Sequence, residues 1–352
     1  MNNIEIAYRD LVKMSGSVEQ MKIKSTETIG IVGIPFSKGQ SRVGTEFGPK
    51  VLRNGGIVMK LQNLGFHVKD HGDVEVVQVE NDVPKDKAKN PRTVGLMSKS
   101  IADKVEQVLR SDDICLVLGG DHSMAIGTIT GNVRVEPDLV VLWIDAHADI
   151  NTPMTSDSGN IHGMPLAFLV HELHSYVPKL PGFEWLSPCI HAKDIAYIGL
   201  RDVDVGERKI IEKFGITAFS MHEVDKYGIK EVIEMALRAV DPEGKRPIHL
   251  SFDVDAMDPT LTPSTGTPVV GGLSLREMYY LAEEVARTGR LSMLDVAEVN
   301  PLLSDEKDKK LTVDMTISVI QRFFGNGRGG CYPPGYDIPL VTQQTEDQIG
   351  CE

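Results

Sequence analysis

Cysteine is scarce in this chain: four in 352 residues (Cys115, Cys189, Cys331 and Cys351), with no two close together. That spacing excludes a thiolate metal knuckle or a disulfide scaffold, and the four read as reduced thiols in a cytosol-like compartment. No apolar run approaches the roughly 20 residues that span a bilayer. The N-terminal stretch lacks the apolar core of a signal peptide and, with Glu5, Asp10, Glu19 and Glu27, is unlike an acid-poor transit peptide. A soluble, cytoplasmic protein is expected, with a mitochondrial form left open. Basic charge is in deficit too: 37 Lys+Arg against 50 Asp+Glu leave a net charge of −13. Such a field repels nucleic acid and anionic membranes and suits a cationic partner or metal ions. There is no GxxxxGK[ST] phosphate loop, and Ser123 lacks a nucleophile-elbow context. No repeat of fixed period is present, and no Pro/Gly-rich linker divides the middle.

What is present is a long alternation. Short, β-branched apolar runs lie at Thr28–Phe36, Ile114–Leu118, Leu139–Ile144, Ile195–Leu200, Ile216–Phe219, Pro247–Phe252 and Leu291–Val296, with a weaker one around Phe66–Val68. Between them come stretches of helical spacing, such as Val94–Leu109 and Leu275–Arg287, the latter after Ser274 as N-cap. With 41% hydrophobic residues the chain can bury a sizeable core, which excludes disorder throughout. Apolar strands alternating with amphipathic helices predict a mainly parallel sheet covered by helices. The pattern alone leaves an open doubly wound sheet and a closed (β/α)8 barrel both standing. Either puts its active site at the C-terminal ends of the strands. We divide the chain into an N-terminal extension (1–27), a single domain (28–325) and a Gly- and Pro-rich C-terminal arm or tail (326–352). Glu80–Arg92 reads as a surface loop.

The chemistry is written at strand ends. Asp145-Ala146-His147-Ala148-Asp149 follows the run Leu139–Ile144, and a strand's period of two would put Asp145, His147 and Asp149 on one face if the extended conformation persisted. Asp253 and Asp255 repeat the pattern after Pro247–Phe252. Gly119-Gly120-Asp121-His122-Ser123 follows Ile114–Leu118, its glycines permitting a tight turn that offers His122 to the same region. Any one of these motifs can be a solvated acidic loop, but three at three apolar strand ends make coincidence a poor account. Burying several carboxylates with two imidazoles is costly unless a cation compensates. Oxygen-rich ligation with some imidazole suits Mn, Mg or Fe(II), and so many ligands point to two ions that generate a hydroxide between them.

At this point the segments GGDHS, DAHADIN, SFDVDAMDP and EVNP resemble those of the ureohydrolases, and of animal-type arginases in particular. The resemblance runs from about Thr28 to about Gly330 and takes in GIPFSKGQ, KNPRTVG, IGLRDVD and PSTGTPVVGGL. It implies an open three-layer α/β/α fold with a mainly parallel sheet, a homotrimer, and two Mn(II) ions per subunit whose bridging hydroxide hydrolyses L-arginine to L-ornithine and urea. By the same resemblance His122, Asp145, Asp149 and Asp253 would bind one ion, and Asp145, His147, Asp253 and Asp255 the other. Glu298 would hold the guanidinium by paired, charge-assisted bonds. His162 would shuttle protons, with Asp149 as a second proton acceptor. Asn151, Ser156 and Ser158 would take the α-carboxylate, Asp204 and Glu207 the α-amino group, and Thr267 would join the substrate site.

Alone, Glu298 would read as a solvated acid and His162 as a loop histidine; only the family pattern singles them out. The alternatives are an agmatinase, a metal-binding scaffold without turnover, or a two-metal phosphoesterase. The single-zinc deacetylases of related fold carry fewer metal carboxylates. One departure stands out: animal arginases commonly carry an uncharged residue where this chain has Asp157. An anion there would weaken arginine binding at most. Arg276 with Glu277, and Arg328, fall where arginases place ion pairs between subunits, and each can equally be a surface charge. His71, His171, His174, His191 and His222 read as surface or satisfied histidines, and His249 as a core one.

Overall fold

A computed structural model describes residues 27–330 and Asp337. Cys331 and Cys351, the extension before residue 27 and nearly all of the C-terminal segment lie outside the described residues.

Eight strands form one sheet: β1 (Thr28–Gly33), β2 (His67–Asp73), β3 (Ile114–Leu118), β4 (Val140–Ile144), β5 (Ile195–Leu200), β6 (Thr217–Ser220), β7 (Ile248–Asp253) and β8 (Leu291–Ala297). The order is β2-β1-β3-β8-β7-β4-β5-β6, and every pairing is parallel. The sheet is open, so the barrel alternative falls. Alternation along each strand feeds two cores. Leu116, Leu118, Val140, Leu142 and Ile144 face one helical layer, while Cys115, Val117, Val141 and Trp143 face the other. Strands buried on both faces are predominantly apolar, which is why their runs are nearly continuous in the sequence.

Helices follow their sequence signals. Ser274 caps Leu275–Thr288 in a reciprocal box with Glu277, and Gly289 ends that helix in the left-handed region. Glu277 is thereby spent on its own helix, and Arg328 is bound to Glu283 of its own chain (3.0 Å). The helix foreseen at Val94–Leu109 starts earlier, at Pro91, whose missing N–H costs nothing in the first turn. The preceding stretch from Glu80 is a largely exposed loop, as expected. No described helix is long and apolar enough to cross a membrane.

The topology creates the site. β4 and β7 are neighbours, but the chain leaves β4 toward β5 on one side and leaves β7 toward β8 on the other, so the direction of winding reverses between these two strands. Ligand sites of open parallel sheets lie at such reversals, beyond the C-terminal strand ends. Register Ile144↔Phe252 sets Asp145 level with Asp253, and Asp253↔Ala297 leaves Glu298 one residue beyond.

Candidate active site

The four central strands deliver the charged residues: His122 after β3, Asp145, His147 and Asp149 after β4, Asp253 and Asp255 around the end of β7, and Glu298 after β8. The convergence is achieved differently from the alternation expected. Strand β4 ends at Ile144, and residues 145–149 form a bend in which Asp149 has φ 49°. Asp253 closes β7, while Asp255 sits in a 3-10 turn, Val254–Ala256. Turns, not strand parity, aim these side chains. The bend is held by the Tyr197 hydroxyl donating to the Ala148 carbonyl (2.8 Å) and by Arg201 N donating to the Ala146 carbonyl (2.9 Å). Glu298 also lies in the left-handed region, at φ 64°. Apart from four residues of the loop before Pro91, Asp149 and Glu298 are the non-glycine residues described with positive φ, a strained state that persists only where surroundings enforce it.

At the centre lies His122. Its Nδ1 is 3.2 Å from carboxylate oxygens of Asp145, Asp149 and Asp253, yet it is buried and makes no hydrogen bond. Its Nε2 pairs with the Ser251 hydroxyl (2.9 Å), and the ring stacks on Trp143 (4.2 Å). A hydroxyl accepting from Nε2 leaves Nδ1 with a lone pair and no proton, the form that ligates a metal. His147 Nδ1 stands 3.4 Å from Asp145 and 3.2 Å from Asp255. Two ligand groups result, His122–Asp145–Asp149 and Asp145–His147–Asp255, sharing Asp145. Secondary contacts orient the carboxylates: Trp143 Nε1 and His147 N donate to Asp145 (3.0 and 2.7 Å), Asp255 N donates to Asp253 (2.9 Å), and Thr267 Oγ1 donates to Asp255 (3.1 Å).

Without cations this cluster is electrostatically awkward. Burial, then the charges of Asp255 and Asp145, push Asp253 well above the usual carboxylate range. Burial and Asp145 raise Asp149 to about 6. His122 and His147 are shifted the other way from what burial alone dictates, because the surrounding carboxylates favour imidazolium. An orphaned ring nitrogen ringed by carboxylate oxygens, with a second such group beside it, fits a pair of divalent cations.

Next to the ligand groups is a cavity of about 140 Å³, sized for one small molecule. His147, Asp149, Asn151, Ser156, Ser158, His162, Asp204, Glu207, Asp253 and Thr267 all line it, so it gathers the residues assigned to the amino-acid end of the substrate, whereas Glu298 is buried (1% exposed) and is not among its lining residues. Ser156 Oγ accepts from Gly159 N (3.0 Å) and Ser158 Oγ from Asn160 N (3.2 Å). Each hydroxyl can therefore turn its own hydrogen toward a ligand carboxylate. Asn151 is more committed, donating to Asp204 (2.8 Å) and accepting from Thr155 (2.8 Å). Glu207 accepts from Ile150 N (3.1 Å) and Asp204 N (3.0 Å), and burial with the charge of Asp149 pushes it up to about 8.

His162 Nδ1 meets Glu298 Oε1 at 3.2 Å. The same oxygen accepts from His122 N (2.9 Å), while Glu298 Oε2 accepts from Gln40 Nε2 (2.6 Å). A carboxylate has about four acceptor positions, so these donors take most of them. The paired grip on a guanidinium that the sequence suggested would require His162 to yield its place.

Several neighbours escaped the sequence reading. Gln40 sits in the quoted segment GIPFSKGQ but had no assigned role. Asp121 accepts from Gly39 N (2.8 Å) and is raised to about 6 by burial and then by Glu298. Asp202 lines the cavity 3.8 Å from His147. Trp143 and Ser251, hidden inside apolar strands, gave no polar signal at all. The set-aside histidines stay outside the site: His71 binds Asp112, His171 stacks on His191 (4.5 Å), and His174 and His222 are exposed. His249 is a core residue, bonded to Asp295 (3.0 Å) and Asn132 (3.2 Å).

Residues 27–325 match the family described as the Arginase family. The chain is 53% identical to human Arginase-1 over 315 residues, 89% of this chain and 98% of that protein. It is 49% identical to human "Arginase-2, mitochondrial", with 92% of each chain covered. Among solved structures, arginase from Bacillus subtilis superposes with a TM-score of 0.74 at 36% identity, covering 85% of this chain and 99% of that one. A proclavaminate amidino hydrolase from Streptomyces clavuligerus, 22% identical with a TM-score of 0.65 over 85% of this chain and 92% of its own, shares the fold. The chain therefore belongs to the arginase family.

Proposed function

We propose that this chain is an arginase, hydrolysing L-arginine to L-ornithine and urea with two Mn(II) ions per subunit. The observation that carries the reading is the buried, unbonded Nδ1 of His122 facing Asp145, Asp149 and Asp253, beside a second ligand group that shares Asp145. His122, Asp145, Asp149 and Asp253 would hold one ion; Asp145, His147, Asp253 and Asp255 would hold the other. Four carboxylate charges offset two divalent ions, and hard oxygen donors with two imidazoles suit Mn(II). When bound, such a pair supplies a hydrolytic nucleophile at neutral pH.

The protein's own groups do the rest. Glu298 provides the anion that a guanidinium needs on leaving water. Burial alone would lower the pKa of His162, but the bond to Glu298 and the charges of Asp149 and Asp121 raise it in the metal-free site. With Nδ1 toward Glu298, Nε2 is the atom left to pass a proton to the leaving amine. Asp149 is the second proton acceptor in this scheme. The hydroxyls of Ser156 and Ser158, with Asn151, address the α-carboxylate, and Asp204 and Glu207 the α-amino group, with Thr267 at the rim. Buried donors unmatched by agmatine, which lacks the carboxylate, would favour arginine. A homotrimer and a cytoplasmic location are assigned on family resemblance.

Urea release from L-arginine and from agmatine, by Mn(II)-loaded and metal-stripped protein, tests the proposal. Metal-dependent turnover that favours arginine is expected. A preference for agmatine would transfer the protein to the sister activity, and no turnover with metal bound would leave a binding role.

A further inference from the structure

The segment joining β1 to the 3-10 turn Thr45–Phe47 belongs to no strand or helix, yet it is pinned along its length. Asn90 Nδ2 donates to the Lys38 carbonyl (2.9 Å), Gly39 N donates to Asp121 (2.8 Å), and the Gly39 carbonyl accepts from His162 N (3.0 Å). Farther on, Asn300 Nδ2 donates to the Val43 carbonyl (3.1 Å). Gly39 cannot be replaced without collision, since a Cβ there would lie 2.4 Å from both Asp121 and Ser123. A surface loop of this length does not ordinarily need so many anchors from four different parts of the chain.

The residue these anchors deliver is Gln40. It is 8% exposed, and its Nε2 donates to Glu298 Oε2 at 2.6 Å, across 258 positions of sequence. On the other carboxylate oxygen, Oε1, His122 N and His162 Nδ1 together occupy both acceptor positions. Oε2 has one position taken by Gln40 and one left over. With His162 in place, a guanidinium can be received only at that remaining position, and its direction depends on how the carboxylate is turned about its last torsion. Terminal torsions of glutamate are broad, so the backbone of Glu298 does not set that angle. The donors on its two oxygens do: His122 N and His162 Nδ1 on Oε1, and the Gln40 amide as the one donor named on Oε2.

We propose that Gln40 is a positioning residue for the reaction: its amide holds Glu298 Oε2 so that the one free acceptor of this carboxylate is presented to the substrate guanidinium. The inference rests on the reading of Glu298 as the guanidinium partner. It makes the contact with substrate single rather than paired, and it gives the loop after β1 a role in specificity for the cationic end of the substrate.

The test uses Gln40→Met, which keeps length and bulk but removes the donor, in full-length Mn(II)-loaded protein. Melting temperature, bound manganese, kcat and KM for L-arginine, and competitive inhibition by L-norleucine are measured together. L-norleucine carries the amino-acid end without a cation. The expected result is a kcat/KM for arginine lower by roughly ten- to a hundredfold, the range for losing one hydrogen bond to a buried charge. Metal content and the norleucine constant stay at their wild-type values, and the melting temperature falls by a few degrees at most. In a Glu298→Gln background the same substitution should cost nothing more, because the two residues act as one unit. Should Gln40→Met fail to fold, Gln40→Glu, equal in shape and repulsive toward Glu298, carries the same test with a larger loss. Wild-type kcat/KM in folded Gln40→Met overturns the proposal, as does a norleucine constant that worsens in parallel with arginine, which would mark a purely structural loop. Absence of arginine turnover in the wild type would instead remove the reading of Glu298 on which the inference stands.

Discussion

The two ends of the sheet both concentrate buried and half-buried charge, and they handle it in opposite ways. At the N-terminal ends of β4, β5, β7 and β8, the buried carboxylates Asp194 and Asp241 each meet a guanidinium. Arg246 binds Asp194 (2.8 Å) and reaches Asp138 (3.2 Å), Arg290 binds Asp241, and the spare donors of Arg246 go to the carbonyls of Val240 and Leu139 (2.9 and 3.0 Å). At the C-terminal ends, Asp121, Asp145, Asp149, Asp253, Asp255 and Glu298 share His122, His147 and His162. The nearby Arg201 does not join them. Its guanidinium is spent on backbone carbonyls of Gly199, Asp255, Ala256, Met257 and Val269. A balanced cluster stabilises a fold, whereas an unbalanced one has a lower free energy only with a cation bound. Charge accounting therefore tells structural from functional acids where residue type does not.

The sharpest way to break this comparison is to neutralise one carboxylate at each end. Asp253→Asn should cut arginine turnover on the order of a thousandfold or more, with loss of bound manganese. Yet the metal-free form should melt higher than metal-free wild type, since Asp253 is held above the usual carboxylate range by burial and by Asp255 and Asp145. A lower melting temperature would mean that Asp253 is a structural acid like those at the opposite end.

Metal removal by itself should expose the imbalance as a pH effect. In the metal-free protein Asp149 and Asp121 lie at about 6 and Glu207 at about 8, all raised first by burial. Unfolded carboxylates titrate near 4, so between about pH 4 and 8 the folded state holds protons that the unfolded chain has released. Stability of the stripped protein then falls as pH rises through that window. His122 and His147, raised above the ordinary imidazole value by their carboxylates, act in the same direction above about pH 6.5. The stripped protein should melt lower at pH 8 than at pH 6. The loaded protein should lose less over the same range, because bound ions take over from the protons of the ligand residues and leave only groups such as Glu207 that hold no ion. Equal melting at both values in the stripped protein would contradict the imbalance.

At the balanced end the expectation reverses. Asp194→Asn leaves Arg246 without its buried partner and should destabilise by roughly 1–3 kcal/mol, discounted because the arginine is partly exposed. Arginine turnover should be unchanged. Denaturant unfolding with a parallel urea assay separates the two, and any loss of turnover in the still-folded variant would deny the separation of roles.

These differences explain what could be read from the sequence. The apolar strands were legible because burial on both faces keeps them mostly apolar, the buried polar exceptions such as His249 and Asp295 being paired with each other, and their ends located the acids. Strand β2 was nearly illegible: as an edge strand it reads HVKDHGD and is mostly exposed, so no apolar run announces it. The manner of convergence was not legible either. Period-two parity picked out residues after β4 and β7 that do come together, but the backbone gathers them through turns and a left-handed Asp149. Glu298 and His162 carried no signal of their own and came from family resemblance. Gln40 was invisible, because its partner lies 258 positions away and only the fold makes them neighbours.

The smallest expected effect concerns the one departure in the cavity loop. Asp157 adds a negative charge beside residues assigned to the α-carboxylate, which would suggest poorer arginine binding. The structure argues against a sizeable effect. Asp157 is exposed, whereas Ser156 beside it is buried. A cation also borders the loop: Lys87 Nζ lies 3.3 Å from the Met154 carbonyl and 3.4 Å from that of Ser156. An exposed charge facing water at physiological salt is screened over roughly 8 Å, and a nearby ammonium offsets part of what remains. Asp157→Thr should therefore lower KM for arginine by about twofold at most, with kcat unchanged. The ratio of the two KM values should move toward one as salt is raised. A larger drop that persists in high salt would mean that Asp157 turns into the cavity when substrate binds, extending the unbalanced region to its rim.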